Sequence, residues 1–479
     1  MRPDPFDLAI VGAGAAGLIA AQFALQLGAR VALLERERIG GDCTWTGCVP
    51  SKSLIKVAQV AASARQAARF GVVVSEPIAE LSRVREYLRT TVQHIYAPTT
   101  PQALREKGLS VYLGAAQFRD PHTLQVSDQL VRARRILLCT GAVPRRPALP
   151  GLDRVPYLTY KDIFENDRLP KCMTVIGAGP VGCEIAQSYQ RLGARVTIIA
   201  PRLLPRAEPQ ASALLSQVFA TEGMRHVAAR AQSVSREDAV VVVRTEQGAV
   251  KGDLLLVAVG RKPDVASLNL ESAGVRHGER GVEVNAQLQT SARHIYAAGD
   301  VIGGAQFSHL AGWQAFQAAR NALLPGSSSG MAVAVPEVTF TVPEVAQIGL
   351  TENMARKRYG DAVRTASMDL AHVDRAVSEA DETGFIQLIA HRGGRILGAT
   401  VMGERAGEAL AEISLAMASG LTLRQVAAAI HPYPTYNSAI QLLATQMAIQ
   451  DRLSGLQGKL VRALSRLSLG LRGLPRDAT

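Results

Sequence analysis

Apolar positions along the first part of the chain fall in short runs closed by glycine. From Asp7 the sequence DLAIVGAGAAGLIAAQFALQLGARVALLERE gives an apolar run, a glycine turn, a stretch with helical spacing and a second apolar run. Short continuous runs of this kind suit buried parallel strands, so the pattern predicts strand, turn, amphipathic helix, strand. The same order returns in KCMTVIGAGPVGCEIAQSYQRLGARVTIIAPR. A different pattern closes the chain: Leu453, Leu456, Leu460, Leu464, Leu467 and Leu471 recur at helical spacing with Arg or Lys between them, a basic amphipathic tail over 451–479. Gly455, Gly458 and Gly470 are expected to weaken that helix. No run approaches the eighteen or so apolar residues that a membrane-spanning helix needs, since Gly, Arg or Asp interrupts each one.

Both strand-turn-helix units carry the spacing of a dinucleotide-binding turn. In the first, Gly12 allows the tight turn, Gly14 lets backbone approach a pyrophosphate, and Gly17 lets helix and strand pack closely. Glu35, at the end of the second strand, can accept both ribose hydroxyls of an adenosine. Gly177, Gly179 and Gly182 repeat the turn, so two dinucleotides are expected. The repeats differ in one informative way: Glu35 lies 23 residues after Gly12, whereas Ala200 lies 23 residues after Gly177. Without that carboxylate a 2′-phosphate meets no repulsion, and Arg202, with Arg206, can pair with it, which favours NADPH over NADH. The plain alternative is that these arginines are exposed loop charges.

Between the units, GGDCTWTGCVPSKSL places four residues between Cys43 and Cys48. A regular helix would rise about 7.5 Å over that interval, more than the roughly 4.4 to 6.8 Å between Cα atoms that a disulfide tolerates, so the segment must bend. Gly47 permits the bend and Pro50 suits the first turn of a helix that runs on through Lys52 and Leu54. Cys48 then lies near a helix N-terminus, where a thiolate is favoured. Cys139, Cys172 and Cys183 fall on strand or helix patterns and read as ordinary structural thiols.

Length and charge narrow the picture further. A chain of 479 residues exceeds one hydrophobic core, and about two to four domains are expected. The formal charge is +12, but the arginines are scattered rather than gathered in a stripe, which argues against nucleic acid as a partner. The start MRPDPFDLAIVGAG has no cationic leader or cleavage site, and five cysteines do not make a secreted disulfide framework; a cytoplasmic location is expected.

With these motifs in view, the sequence resembles the class I pyridine nucleotide-disulfide oxidoreductases, FAD enzymes that include glutathione reductase, dihydrolipoamide dehydrogenase and mercuric reductase. The likeness runs from about residue 6 to 450 and includes GAAQF at Gly114–Phe118, TGAVP from Thr140, AVGRKP from Ala258, AAGD ending at Asp300, and FTVPEVAQIGLTE from Phe340. It implies an α/β fold with two Rossmann-like dinucleotide-binding domains and a C-terminal α+β interface domain. Residues 1–150 and 290–325 would bind FAD, 151–289 would bind NAD(P), and 331–450 would form the interface of a homodimer.

Carried onto this sequence, Gly12, Gly14, Gly17, Glu35, Lys52, Ala116, Thr140, Gly141 and Asp300 would lie at FAD, and Gly177, Gly179, Gly182, Arg202 and Gly260 at the nicotinamide nucleotide. Lys52 and Glu184 match the family's pair beside the reactive flavin nitrogen. Cys48 matches the thiol facing the flavin and Cys43 the one that exchanges with a small oxidised substrate. No resident metal is implied. For the tail, packing onto the dimer is the default and peripheral membrane contact the alternative.

Two departures bear on the substrate. Where glutathione reductase and dihydrolipoamide dehydrogenase carry a His-Pro-Thr motif, this chain reads AIHPYPTYNS. Aligning the Pro-Thr steps puts Tyr433 at that histidine and His431 two residues earlier, closer to mercuric reductase, which has a tyrosine in a similar setting. A phenol with a pKa of about 10 is a poor proton shuttle at pH 7; His431 is the other candidate, or a structural histidine. The mercuric likeness lacks the vicinal C-terminal cysteines, since the chain closes on LRGLPRDAT, and a separate metal-binding N-terminal domain. Asp42 and Trp45 replace the Thr and Asn common in relatives, and Asp42 is expected to face a backbone amide or a cation rather than phosphate. A small disulfide, another electrophile or a metal ion all remain open as acceptors, as does a flavoprotein sensor without rapid turnover.

Overall fold

The computed structural model describes residues 4–453 and 455–471. They form two compact units, Met1–Pro205 with Ser216–Ala332, and Arg206–Leu215 with Val333–Thr479.

In the first unit, the opening apolar run becomes strand β1 (Phe6–Val11), followed by helix α1 (Ala15–Gln26) and strand β2 (Val31–Glu35). Strands β3 (Ser110–Leu113), β4 (Ala116–Asp120), β5 (Thr123–Val126) and β6 (Gln129–Leu138) complete a sheet of order β3-β2-β1-β6-β5-β4. β1 runs parallel to both neighbours, with Val11 opposite Leu34 and Leu138, and its last four residues are buried, as expected of a strand covered on both faces. The strand Ile295–Ala297 returns from far along the chain to pair with β6.

α1 packs through Ala16, Gly17, Ala20, Ala21 and Ala24 against the helix Ser308–Leu323, which offers Ala311, Ala315, Ala318 and Ala319. Small residues let the two backbones approach closely. A Cβ at Gly312 would lie 2.4 Å from Ile19 Cδ1.

Strand β7 (Ala142–Pro144) leads to the second glycine unit, in which β8 (Cys172–Ile176), the helix Pro180–Leu192 and β9 (Arg195–Ile199) repeat the first plan. Strands Arg225–Val227 and Leu254–Val257 flank β9 and β8 in a parallel sheet, and an antiparallel meander, Ala231–Gly252, covers it. The return to the first sheet begins earlier than residue 290. Leu268, Leu270, Ala273, Val275 and Val282 already share a core with Ala9, Val11, Phe118 and Leu138. These residues are spread among short turns and two-residue bridges, so no strand or helix periodicity advertises them.

The second unit is α+β. A five-stranded antiparallel sheet, ordered Glu337–Thr339, Glu344–Gly349, Ile396–Gly403, Phe385–His391, Val363–Asp369, buries one face under the helices Ala406–Ala418 and Tyr436–Leu453. The tail is more regular than its glycines suggested: Gly455–Leu471 is a helix. Gly458 is needed there for steric reasons, because a Cβ would stand 1.9 Å from the carbonyl oxygen of Leu453 at the end of the preceding helix. Ser454 and residues 472–479 lie outside the described residues.

Candidate active site

The two glycine turns show the same division of labour. Gly12 (φ +101°) and Gly177 (φ +105°) need left-handed backbone, and a Cβ at either would meet the carbonyl oxygen of Cys139 at 2.3 Å or of Ala258 at 2.4 Å. At Gly17 and Gly182 the obstruction is the turn itself, with the oxygens of Gly12 and Gly177 at 1.9 and 2.2 Å. Gly14 and Gly179, the N-caps of their helices, are different. A Cβ at Gly179 would meet nothing within 4 Å, and at Gly14 only Gly41 Cα at 3.8 Å. Both helices therefore begin beside open space into which their amides point, the shape a pyrophosphate requires.

Glu35 closes the first turn: its carboxylate accepts from the amides of Ala13 at 2.7 Å and Glu37 at 2.8 Å. At the equivalent end of β9, Ala200 is buried and Arg202 is exposed. Arg206 groups with the second unit, where its carbonyl accepts from Gln347. The donor set fits an adenosine ribose at the first turn and leaves the second free of a competing acid.

Around the first turn, Ala116 is buried at the start of β4, Thr140 donates its hydroxyl to the carbonyl of Asp264 at 2.7 Å, and Gly141 adopts φ +74°. Gly260 (φ +103°) would meet nothing within 4 Å if given a Cβ. Asp300 is buried and holds Arg261 at 2.7 Å. Burial pushes the Asp300 carboxyl above its usual range despite that arginine.

The cysteines sit on two short-range consequences of glycine. Gly40 (φ +104°) starts helix α2 (Gly41–Trp45), which carries Cys43. Gly47 passes so close to Asp42 that a Cβ would be 2.8 Å from its carbonyl oxygen, and helix α3 (Cys48–Gln66) begins at the next residue. Cys48 thus opens α3, with Pro50 in its first turn, and the two thiols are hydrogen-bonded to each other. The Cys48 thiol is pulled down to about 6 by the hydrogen bond from Cys43, then by Ser308 and the charge of Lys52, against the opposing effect of burial. The Cys43 thiol is pushed up by that same hydrogen bond and by burial. Burial alone raises Cys139 and chiefly raises Cys183. Cys48 is thereby set apart as the thiolate.

Lys52, one turn along α3, reaches Glu184 on the helix Pro180–Leu192 at 2.9 Å, joining the two glycine units through a charged pair whose acid is buried. Ser308 was not legible as a site residue. Its hydroxyl lies 3.3 Å from Cys48 Sγ although 260 positions separate them, and no motif marks it. Ser308→Ala is expected to move the pH midpoint of Cys48 alkylation upward by about one unit, the worth of a hydrogen bond to a charged acceptor. An unchanged midpoint, with Cys48 still half-buried beside Cys43, sinks the assignment.

Asp42 faces cations, as its sequence position suggested. Its carboxylate accepts from Lys161 at 2.6 Å, Tyr160 at 2.8 Å and Arg261 at 2.9 Å. Trp45 braces the other side of α2, donating to the carbonyl of Ile39 at 2.8 Å and lying against Tyr96 and Arg38.

Tyr433 and His431 belong to the second unit. Tyr433 is largely exposed and donates to Asp374, a bond that raises its phenol further above its ordinary value. His431 Nε2 lies 2.6 Å from a Glu412 oxygen, and Glu412 also accepts from Asn437.

Fold and site together define a nucleotide-dependent thiol oxidoreductase. The sequence profile of pyridine nucleotide-disulphide oxidoreductases matches residues 6–322, and that of their dimerisation domain matches residues 335–444. The chain belongs to this family: it is a mercuric-reductase-like flavoprotein disulfide oxidoreductase, an enzyme class that works with FAD and NADPH. It is 37% identical over 454 residues to a mercuric reductase of Streptomyces lividans, covering 92% of this chain and 95% of that one. A mercuric reductase of Staphylococcus aureus is 33% identical over 452 residues, covering 92% and 82%. Among solved structures, the HOCl-induced flavoprotein disulfide reductase RclA from Escherichia coli superposes with a TM-score of 0.82 at 26% identity, covering 92% and 99%. LpdA from Mycobacterium tuberculosis gives 0.84 at 28%, covering the same shares. Among the described residues, no helix is long and apolar enough to cross a membrane.

Proposed function

We propose that this enzyme takes two electrons from NADPH, stores them as the Cys43–Cys48 dithiol, and delivers them to a small disulfide, a thiol-reactive electrophile or a soft metal ion such as Hg(II). The supporting observation is the hydrogen-bonded pair at the start of α3, with Cys48 pulled down to about 6. Gly12, Gly14, Gly17, Glu35, Ala116, Thr140, Gly141 and Asp300 would hold FAD, which when bound supplies the two-electron link between nicotinamide and sulfur. Gly177, Gly179, Gly182, Arg202 and Gly260 would hold NADPH, with Arg202 toward its 2′-phosphate.

The chain's own steps then balance. Reduction of the Cys43–Cys48 disulfide breaks one S–S bond and, with two electrons and one proton, leaves a thiol on Cys43 and a thiolate on Cys48. Lys52 and the Ser308 hydroxyl stabilise the thiolate. Cys43, once deprotonated, attacks the acceptor; with a disulfide it forms a mixed disulfide and releases a thiolate, and Cys48 then displaces the second thiolate as the Cys43–Cys48 bond re-forms. With Hg(II), both sulfurs serve as soft ligands. The dimerisation segment supports a homodimer, in which Tyr433 and His431 are the candidates for proton handling. The cysteine usage supports a cytoplasmic setting.

A single assay series tests this reading. Purified holoenzyme with NADPH should reduce Hg(II) or a small electrophile faster than lipoamide or glutathione disulfide, and should prefer NADPH to NADH. Fast lipoamide turnover with NAD would place it with dihydrolipoamide dehydrogenase instead. Flavin reduction without thiol exposure would leave a sensor.

A further inference from the structure

We infer that the helix Gly455–Leu471 is a docking surface for an anionic lipid bilayer. The helix before it, Tyr436–Leu453, spends its apolar positions in the second unit's core, burying Tyr436, Ala439, Ile440, Leu443, Ala444 and Met447. The described apolar side chains of the last helix do not. Leu460, Leu464 and Leu467 are 62%, 56% and 62% exposed. At 100° per residue these three positions fall within an arc of about 60°, so they make one apolar ridge rather than scattered exposures.

Charge identifies what this ridge meets. Residues 455–471 contain Lys459, Arg462 and Arg466 and no Asp or Glu. Arg462 and Arg466, one turn apart, lie on the face opposite the leucines, and both are exposed. Arg462 also donates to the carbonyl of Leu453 at 3.0 Å, which fixes the start of this helix to the end of its predecessor. Apolar ridge, basic polar face and missing acids together are the chemistry of a helix lying in an anionic headgroup layer. Seventeen residues span about 25 Å, and the helix cannot cross the bilayer, so it lies along the surface. The net charge of +12 draws the rest of the molecule the same way.

The test is co-sedimentation of the full-length, FAD-loaded protein with vesicles of phosphatidylcholine alone or mixed with phosphatidylglycerol. Binding to the mixed vesicles alone is expected, with loss at about 0.5 M salt, where the Debye length falls to a few ångströms. Leu464→Glu with Leu467→Glu, and separately Arg462→Glu with Arg466→Glu, should each weaken that binding by about tenfold or more. NADPH-dependent flavin reduction in solution should be unchanged in both variants, which shows that they fold. The inference is overturned if the parent protein ignores bilayer charge or if the variants bind as it does. A smaller oligomeric mass by light scattering on replacing the leucines likewise overturns it, since the ridge would then belong to a second copy.

Discussion

Cys43→Ser is expected to abolish turnover with disulfide, mercuric or other electrophilic acceptors, by about a thousandfold or more, while NADPH still bleaches the bound flavin. The serine hydroxyl can donate to Cys48 as the Cys43 thiol does, so the variant keeps a low-pKa thiolate but has lost the group that attacks the acceptor. That thiolate supplies a second readout. Because Cys48 is pulled down to about 6, its charged fraction grows as pH rises through that value and is nearly complete at pH 7. Alkylation of the reduced enzyme should therefore climb about tenfold per pH unit below 6 and level off above it. In Cys48→Ser the remaining Cys43 is half-buried, which holds its thiol above the ordinary value, and alkylation should still be climbing at pH 8. Full acceptor turnover by Cys43→Ser, or a profile for the parent that first levels above pH 8, would refute the division of roles between the two sulfurs.

The second large effect separates glycines that look alike in the sequence. Gly17→Ala and Gly182→Ala drive a methyl group to 1.9 and 2.2 Å from carbonyl oxygens, contacts that only movement of helix against strand can relieve. We expect each to cost about 3 kcal/mol or more, seen as a lower unfolding temperature, with flavin lost from Gly17→Ala. Gly179→Ala should leave the unfolding temperature unchanged, because its backbone is at φ −74° and the space beside it is open. Its effect should appear in NADPH affinity, reduced about tenfold or more where the methyl meets the nucleotide's phosphates. Parental NADPH affinity in this variant would mean that no pyrophosphate approaches there.

Much of this fold was legible because its signals are local. The two glycine turns, their flanking strands and the start of α3 each lie within about thirty consecutive residues, and apolar runs, glycine and proline specify them directly. The contrast between Glu35 and Ala200 needed only one repeat set against the other. What escaped was non-local. Ser308 reaches Cys48 across 260 positions, and Asp42 meets Arg261 across 219, so nothing in either neighbourhood names the partner. For Asp42 the kind of partner was foreseeable, because a carboxylate displaced from phosphate must find a cation; which cation was not. The rejoining of the first core at Leu268 escaped because turns carry no periodicity. The tail's glycines are a poor guide because intrinsic propensity takes no account of the close approach that Gly458 makes to Leu453.

The Ala-and-Gly seam between α1 and the helix Ser308–Leu323 ties the acidity of a thiol to a fit several residues away. Ser308 opens the very helix whose Gly312 nests against Ile19; an alanine at 312 needs only the exposed end of Ile19 to turn aside, whereas a much larger residue there presses on the end of the helix that carries the hydroxyl beside Cys48. Positions 19 and 312 therefore limit each other's size. A chain that enlarges both has to find a new way to keep its sulfur charged.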